Sequence, residues 1–294
     1  MRKYLTKLFY SDKWNIGYTH QTAKRFIEQR GFDSNITWLR ESRADYSADP
    51  FAILHNSIVY IYYEELKSVL SKGRINVLKG YDFETKVRVE GFNPPNIHLS
   101  YPYIFTNNNV IYCIPETAKA KEVSLFEVDP LQMNKVSKLR VLLEGKSFVD
   151  SSIIFYNERF WLFTSVNGGT NVFYIYHAST LDEEFVPHTK NPILNTDKNF
   201  RGAGNLFIVE GRLYRPTQNI GIRYGGSVNI NEIIKLTESE FEHINLFEVG
   251  PIAPYYKGLH NLSFLGDTIV LDGKRSYFSL FVGLKKIIRN FLHS

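Results

Sequence analysis

Acidic, aromatic and basic side chains recur at matching places along this chain of 294 residues, beside short apolar runs. Asp49, Tyr101 and Asp150 each stand at the start of such a run, and Glu64 and Glu116 follow the first two at the same distance. Two carboxyl groups that converge on one substrate can act as general acid and general base, or one of them as a nucleophile. Asp49 is the predicted base or nucleophile, with Glu116 and Asp150 as its catalytic partners.

Other polar residues in equivalent places suit a polyhydroxylated ligand, and an arginine can hold a phosphate or carboxylate through two hydrogen bonds. The alternative is turn chemistry, because Asp before Pro or Ser often caps a turn. Capping would leave the arginines, the glutamine and the histidine of this pattern unexplained. The predicted substrate-binding residues are Tyr101, Glu64, Arg201, Arg215, Gln218, His260 and Asp272.

Composition argues against several other functions. The eight histidines show no metal-ligand spacing and there is one cysteine, so neither a metal site nor a cofactor is predicted. The net charge of +5 comes from scattered basic residues, whereas nucleic-acid binding needs denser clusters. The charged N-terminal residues do not resemble a signal peptide, and no apolar stretch is long enough to span a membrane. We therefore expect a cytoplasmic protein that does not bind nucleic acid.

The elements that must position these residues repeat about every fifty residues, which is the length of a four-stranded propeller blade. Each copy is a predicted hairpin with an apolar first strand, a turn of Asn, Gly, Asp or Glu, and an aromatic-rich second strand. Five copies predict an all-β, five-bladed β-propeller, in which the starts of the first strands converge at one mouth of the axial channel. A β-sandwich is the alternative, but it has no reason to repeat its polar strand ends. The five hairpins begin at Asp49, Ser100, Asp150, Ala203 and His260.

Segments outside the hairpins complete the predicted architecture. Trp14 to Tyr18 is predicted to close the ring against the last blade, and residues 21–29 to form a helix. The propeller is assigned to residues 1–276 and a basic amphipathic helix to the tail, residues 277–294. The apolar side of this helix either lies on an anionic membrane surface or packs on the propeller.

Five motifs occur in register along the chain: Ala48 to Phe51, Ser100 to Pro102 with Ile114 to Glu116, Asp150 to Ser152 with Trp161 to Phe163, Arg201 to Gly204 with Leu213 to Gln218, and Gly258 to Asn261 with Leu271 to Gly273. Together they resemble one known family, the propeller domain at the N-terminus of plant glucosamine inositolphosphorylceramide transferases and its single-domain bacterial relatives associated with surface-polysaccharide synthesis. The plant proteins carry a separate transferase domain in addition. The resemblance implies the five-bladed fold of arabinanases and β-xylosidases, with an axial pocket of acidic residues and Asp49 as the first of them.

The predicted function is that of a carbohydrate-active enzyme, a glycosyltransferase in cell-surface polysaccharide or glycolipid biosynthesis. Its partners would be an activated sugar donor and a glycan or lipid-linked acceptor, with Arg201 or Arg215 at the donor phosphate. The basic tail would place it at the inner membrane face. Two alternatives remain open at this point: a glycoside hydrolase with the same pocket, and a glycan-binding propeller without catalytic activity.

Overall fold

The computed structural model is a five-bladed β-propeller, so the fold class predicted from the repeat is confirmed. It describes residues 9–42, 44, 46–67, 72–168, 172–194, 201–220, 225–280 and 283. In chain order the strands are β1 (Tyr10–His20), β2 (Thr37–Trp38), β3 (Tyr46–His55), β4 (Ile58–Leu66), β5 (Arg74–Lys79), β6 (Val87–Arg88), β7 (Ser100–Asn107), β8 (Val110–Glu116), β9 (Glu122–Val128), β10 (Val136–Glu144), β11 (Phe148–Tyr156), β12 (Arg159–Val166), β13 (Val172–Ala178), β14 (Val186–Pro187), β15 (Ile193–Leu194), β16 (Phe207–Val209), β17 (Arg212–Asn219), β18 (Ser227–Leu236), β19 (Phe241–Val249), β20 (Leu262–Leu265) and β21 (Thr268–Phe278).

Each blade is an antiparallel sheet whose strands follow one another along the chain. Blade I is β3 to β6, blade II β7 to β10, blade III β11 to β14 with β15 also on β13, and blade IV β16 to β19. Blade V combines the two ends of the chain in the order β20, β21, β1, β2. Strand β1 pairs with β21 from Tyr10 opposite Phe278 to His20 opposite Thr268, which confirms the predicted closing strand.

The blades are held together by apolar side chains that fill the spaces between neighbouring sheets. One cluster joins blades I, II and III, and Phe51 of blade I meets the rings of Tyr101 and Tyr103 of blade II edge-on at 4.8 and 5.4 Å. Three further clusters join blades III and IV, blades IV and V, and blades V and I. The high aromatic content of the sequence therefore serves the packing between blades.

The helix predicted near the start is α1 (Ala23–Gln29), which lies between β1 and β2. Thr22 caps its first turn by accepting from the N–H of Arg25 at 3.3 Å, and the helix ends at Arg30 in the left-handed conformation. Phe26 is its buried residue, and its ring packs against Phe247 of blade IV and Phe264 of blade V. The helix thus covers the junction of these two blades.

The predicted C-terminal helix falls almost entirely on residues 281–294, of which the structure describes Gly283 alone. Two short 3₁₀ turns, Phe83–Thr85 and Ala118–Ala120, also occur among the described residues. Among the described residues no helix has the length and apolar character needed to cross a bilayer.

Candidate functional site

The first strands of blades I, II and III, which are β3, β7 and β11, share an unusual backbone conformation near their starts. Asp49, Tyr101 and Asp150 have φ values of 51°, 44° and 52°, in the left-handed region that residues other than glycine seldom adopt. In each case the pairing with the second strand of the hairpin shifts register at this residue. The three positions are equivalent in the repeat, so the same bulge is built three times around the axis.

These bulges turn three backbone N–H groups toward carboxylates of the preceding blade. The N–H of Asp49 donates to Asp272 Oδ2 of blade V at 3.1 Å, and the N–H of Tyr101 donates to Asp49 Oδ2 of blade I at 3.3 Å. The N–H of Asp150 donates to Glu116 Oε2 of blade II at 3.3 Å. Each bulge therefore fixes an acidic side chain of its neighbour, and polar residues from several blades are held on the axis.

An axial pocket of about 250 Å³ opens at this end of the propeller. Six of the ten residues predicted to form the site line it, so the predicted convergence of polar strand ends is observed for these six. They are Asp49, Glu64, Glu116, Asp150, Arg201 and His260.

Three of the carboxyl groups in the pocket bind their protons more tightly than usual. Burial raises the pKa of Glu116 to about 8, with a further contribution from the charge of Asp150. Burial also raises the pKa of Asp49 to about 6, although His260 acts in the opposite direction. The pKa of Glu64 is raised well above its ordinary value, again by burial and then by Asp49 and Glu116. Crowded, desolvated carboxyl groups of this kind are typical of acid–base sites.

Arg201 and Asp150 form the charged pair of the pocket wall. Arg201 Nε donates to Asp150 Oδ2 at 2.5 Å and a terminal nitrogen donates to Oδ1 at 3.2 Å, so the contact is bidentate. Asp150 is buried, whereas Arg201 retains some exposure to the pocket. Gln218 lies behind Arg201 and fixes its segment, because its side chain donates to the carbonyl of Gly202 at 2.9 Å.

His260 connects the pocket to Asp272 beneath it. Its Nδ1 lies 2.6 Å from Asp272 Oδ2 and 3.6 Å from Asp49 Oδ1, and its ring stacks on Trp14 at 4.0 Å. Burial lowers the pKa of His260, but the charges of Asp272 and Asp49 outweigh it, and the net pKa is raised. Its Nδ1 therefore lies within charge-assisted hydrogen-bond distance of Asp272, while the ring faces Asp49.

Asp49, His260 and Asp272 are also close enough together to be considered as metal ligands. Asp272 already accepts from three backbone N–H groups, those of Asp49, His260 and Asn261, at 2.9 to 3.1 Å. The 2.6 Å contact with His260 Nδ1 has the length of a charge-assisted hydrogen bond. These donors occupy the oxygens that a cation would need, so the cluster fits a proton better than a metal ion. The absence of a metal stays a prediction.

Four predicted binding residues lie behind the pocket wall, none of them more than 2% exposed: Tyr101, Arg215, Gln218 and Asp272. The Tyr101 hydroxyl accepts from the N–H of Gly204 and contacts its carbonyl, both at 3.0 Å, which ties blade II to the segment before blade IV. The Arg215 guanidinium lies 4.5 Å from the Phe173 ring centre, and burial lowers its pKa to about 10. From these positions we expect the four residues to act on a ligand through the wall side chains.

Sequence reasoning missed other wall residues, notably Trp14, His98 and Asn167. Trp14 was assigned to the closing strand without a role in the site. The N–H of Gly73 donates to His98 Nδ1 at 2.9 Å, so the proton of neutral His98 is on Nε2, which lies 3.3 Å from Glu64 Oε1. Burial lowers the pKa of His98, in agreement with the neutral form. Its position just before Ser100, at a strand start, was the available signal.

Residues 36–251 match the sequence profile of the family described as "Glucosamine inositolphosphorylceramide transferase 1, N-terminal". The chain belongs to this family. The resemblance inferred from the five motifs is thereby confirmed.

The rice (Oryza sativa subsp. indica) glucosamine inositolphosphorylceramide transferase 1 is 31% identical over 210 residues, which are 68% of this chain and 28% of that protein. The Arabidopsis thaliana protein of the same name is 26% identical over 211 residues, 69% of this chain and 27% of its own. The chain therefore spans little more than a quarter of the length of these curated relatives.

The fold is shared with glycoside hydrolases of the propeller type. A family 117 glycoside hydrolase from Zobellia galactanivorans superposes with a TM-score of 0.55 over 94% of this chain and 92% of its own, at 13% identity. At this identity the likeness concerns the fold.

Proposed function

We propose that this protein is a carbohydrate-active enzyme that transfers a sugar from an activated donor to a lipid-linked or oligosaccharide acceptor in the assembly of cell-surface glycans. The observation that carries the carbohydrate-active part of the proposal is the pair of Asp49, which is buried, and Glu116, which is partly buried, two carboxyl groups with different proton affinities in one pocket. The names of the plant relatives, which are transferases acting on inositolphosphorylceramide, support a sugar donor and a lipid acceptor.

The two carboxyl groups can divide the work of acid and base. At neutral pH Glu116, with a pKa of about 8, is largely protonated and donates its proton to the oxygen that leaves the anomeric carbon. Asp49, with a pKa of about 6, is largely ionised and takes the proton of the acceptor hydroxyl as that oxygen bonds to the anomeric carbon. The bond to the leaving oxygen breaks as the new glycosidic bond forms, and each proton has a defined destination.

Residues next to Glu116 and Asp49 would stabilise charge in the reaction and influence the protonation state of Asp49. Positive charge develops at the anomeric carbon in such reactions, and the carboxylates of Asp49 and Asp150 are placed to stabilise it. Arg201 holds Asp150 in position through its bidentate contact. His260 lies beside both Asp272 and Asp49, and its positive charge lowers the pKa of Asp49, which favours the ionised form of the base.

Hydrolysis, with water as the acceptor, is the second candidate. The observation in its favour is again Glu116, because a protonated acid is needed to cleave an unactivated glycosidic bond, whereas a phosphate can leave without one. A hydrolase would use the same residues in the same roles.

A mass-spectrometric turnover screen tests the proposal. The purified protein and Asp49→Asn are incubated with nucleotide sugars and with oligosaccharide or lipid-mimetic acceptors. An acceptor that gains one sugar with the wild type alone supports transfer, and free sugar released from a glycoside without a donor supports hydrolysis. Binding of a glycan without any turnover, in both proteins, would contradict both and indicate a binding module.

Membrane attachment is a separate part of the proposal. Residues 277–294 are basic and apolar at helical spacing, which suits an anionic membrane surface on the cytoplasmic side. Removal of residues 284–294 is expected to abolish binding to vesicles that contain anionic lipid while leaving turnover of soluble acceptors intact. Equal vesicle binding by both proteins would contradict it.

A further inference from the structure

A groove of about 330 Å³ on blade I carries the strongest local charge that we find among the described residues. Five cations line it, from the end of β4, the start of β5 and the region of β6, together with Asn76 and one carboxylate, Glu65. The formal charge of this set is +4, against +5 for the whole chain. The five cations are Lys67, Lys72, Arg74, Lys86 and Arg88.

Two of these cations are held in place without being neutralised. Lys72 Nζ donates to the carbonyl of Asn96, and a terminal nitrogen of Arg74 donates to the carbonyl of Ile97 at 3.1 Å. A carbonyl carries no net charge, so both side chains are positioned with their charge available. In the part of the chain that the structure describes, Lys86 is the cation of the groove that pairs with a carboxylate, Glu65 Oε2 at 2.6 Å.

The lining selects the chemistry of the ligand. All of the lining residues are polar or charged, so the groove has no aromatic ring on which a nucleobase or a sugar ring could stack. Closely spaced Lys and Arg side chains suit a compact anion with several acceptor oxygens. A phosphate or diphosphate group meets this description.

The groove adjoins the axial pocket through strand β4. Glu64 lines the pocket and Glu65 lines the groove, and consecutive residues of a strand point to opposite faces of the sheet. Gly73 lies between Lys72 and Arg74 of the groove, and a Cβ there would clash with Glu64 Oε1 of the pocket. The two cavities therefore lie on opposite faces of β4, at the same end of blade I.

We propose that this cationic groove binds the phosphate or diphosphate group of the substrate whose sugar occupies the axial pocket. The identity of the sugar part rests on the proposed function, whereas phosphate binding in the groove does not. The group can belong to a soluble sugar donor or to the headgroup of a phosphoglycolipid acceptor, since both present the same oxygens.

Inorganic pyrophosphate is the first probe, with binding measured by calorimetry at low ionic strength, where such contacts are screened least. The test variant is Lys72→Gln with Arg88→Gln. The matched control is Lys190→Gln with Lys257→Gln, two exposed residues outside the groove that give the same change in charge. We expect the dissociation constant to rise by about tenfold or more in the groove variant and by less than about twofold in the control.

Vesicles of phosphatidylcholine with and without phosphatidylinositol distinguish the two sources. Loss of phosphatidylinositol-dependent binding in the groove variant, but not in the control, assigns the groove to a lipid phosphate. Unchanged vesicle binding with lost pyrophosphate binding assigns it to a soluble donor. Equal behaviour of both variants toward pyrophosphate and vesicles would overturn the proposal.

The turnover assay distinguishes a failure of the groove proposal from a failure of the proposed function. Groove-dependent pyrophosphate binding without any turnover would leave the groove standing and remove the proposed function. Turnover with the same KM in the groove variant and the control would leave the function standing and remove the groove from the substrate site.

Discussion

The two ends of the first strands both contain residues in the left-handed conformation, for different reasons. At the far end these residues are Asn56 and Ser57 in blade I, and Asn157 and Glu158 in blade III, within the two-residue turns of the hairpins. Such turns require positive φ, and Asn is well suited to it. At the pocket end Asp49, Tyr101 and Asp150 adopt the same conformation where no turn requires it.

A left-handed residue outside a turn costs about 1 to 2 kcal/mol. At the pocket end this cost is offset by the N–H groups that the bulges direct at buried carboxylates. At the far end the strands instead finish in exposed apolar residues, with Leu54 and Phe155 56% and 52% exposed. Strain and buried charge are thus concentrated at the pocket end, which is the end where we propose that the chemistry takes place.

The largest expected difference between the two ends is in turnover. Asp49→Asn is expected to reduce kcat by about a thousandfold, because the amide cannot accept the proton. Asn tolerates the φ of 51°, so the fold should be retained. Leu54→Thr, five residues along the same strand, is the control and should leave kcat within about twofold. Comparable activity in the two variants would remove Asp49 from the mechanism.

The next effect is on stability, at the charged pair of the pocket. Arg201→Gln leaves the buried Asp150 carboxylate without its guanidinium and is expected to lower the free energy of unfolding by about 2 kcal/mol. Urea denaturation measures this free energy of unfolding. Adding Asp150→Asn to the Arg201→Gln variant should restore part of the lost stability. Lys235→Gln breaks the exposed pair with Glu240 and should have no measurable effect. An equally small effect for Arg201→Gln would show that the pocket pair is solvated.

The raised pKa of Glu116 predicts the dependence of stability on pH. In the unfolded chain this carboxyl ionises near 4.5, while in the folded protein it keeps its proton up to about 8. Its contribution to stability is therefore complete below about pH 4.5 and is lost as the pH rises toward 8. Asp49 and His260, whose pKa values are also raised, act in the same direction.

Glu116→Gln should consequently reduce the loss of stability between about pH 5 and pH 8.5, measured as the urea midpoint at each pH. Glu144→Gln, an exposed glutamate of β10, is the control and should decline like the wild type. A steeper decline in Glu116→Gln than in the wild type would contradict the raised pKa.

The smallest expected effect is on the free energy of unfolding when a tyrosine hydroxyl group is removed, either at the pocket end or at the hairpin end. Tyr101→Phe removes buried hydrogen bonds to Gly204 and should lower the free energy of unfolding by about 1 kcal/mol. Tyr156→Phe removes a bond to the carbonyl of Gly211 at the hairpin end, where water can replace it, and should cost less. Thermal denaturation of both variants checks the order, and the reverse order would show that Tyr101 is not a tie between blades.

Much of the fold could be read from the sequence because a propeller repeats its local signals. Asn-rich turns, aromatic second strands and a spacing of about fifty residues are local properties, and they predicted five blades and the closing strand at Trp14 to Tyr18. The list of pocket residues was partly accessible for the same reason, since Asp49, Glu64, Glu116 and Asp150 stand at repeat positions. His98 was missed because it lies in the loop before β7. Trp14 was missed because it lies in β1, near the N-terminus and outside the five predicted hairpins.

The sequence by itself thus determined the blade number, the inner hairpin of each blade and the acidic side chains near the axis, because hydrophobic periodicity and turn residues act over a few residues. The tertiary structure decided which of those side chains face the pocket and which lie behind its wall. It also decided the raised pKa of Glu116 and the pairing of Arg201 with Asp150. These properties depend on burial and on distances between residues of different blades, which are set when the ring closes.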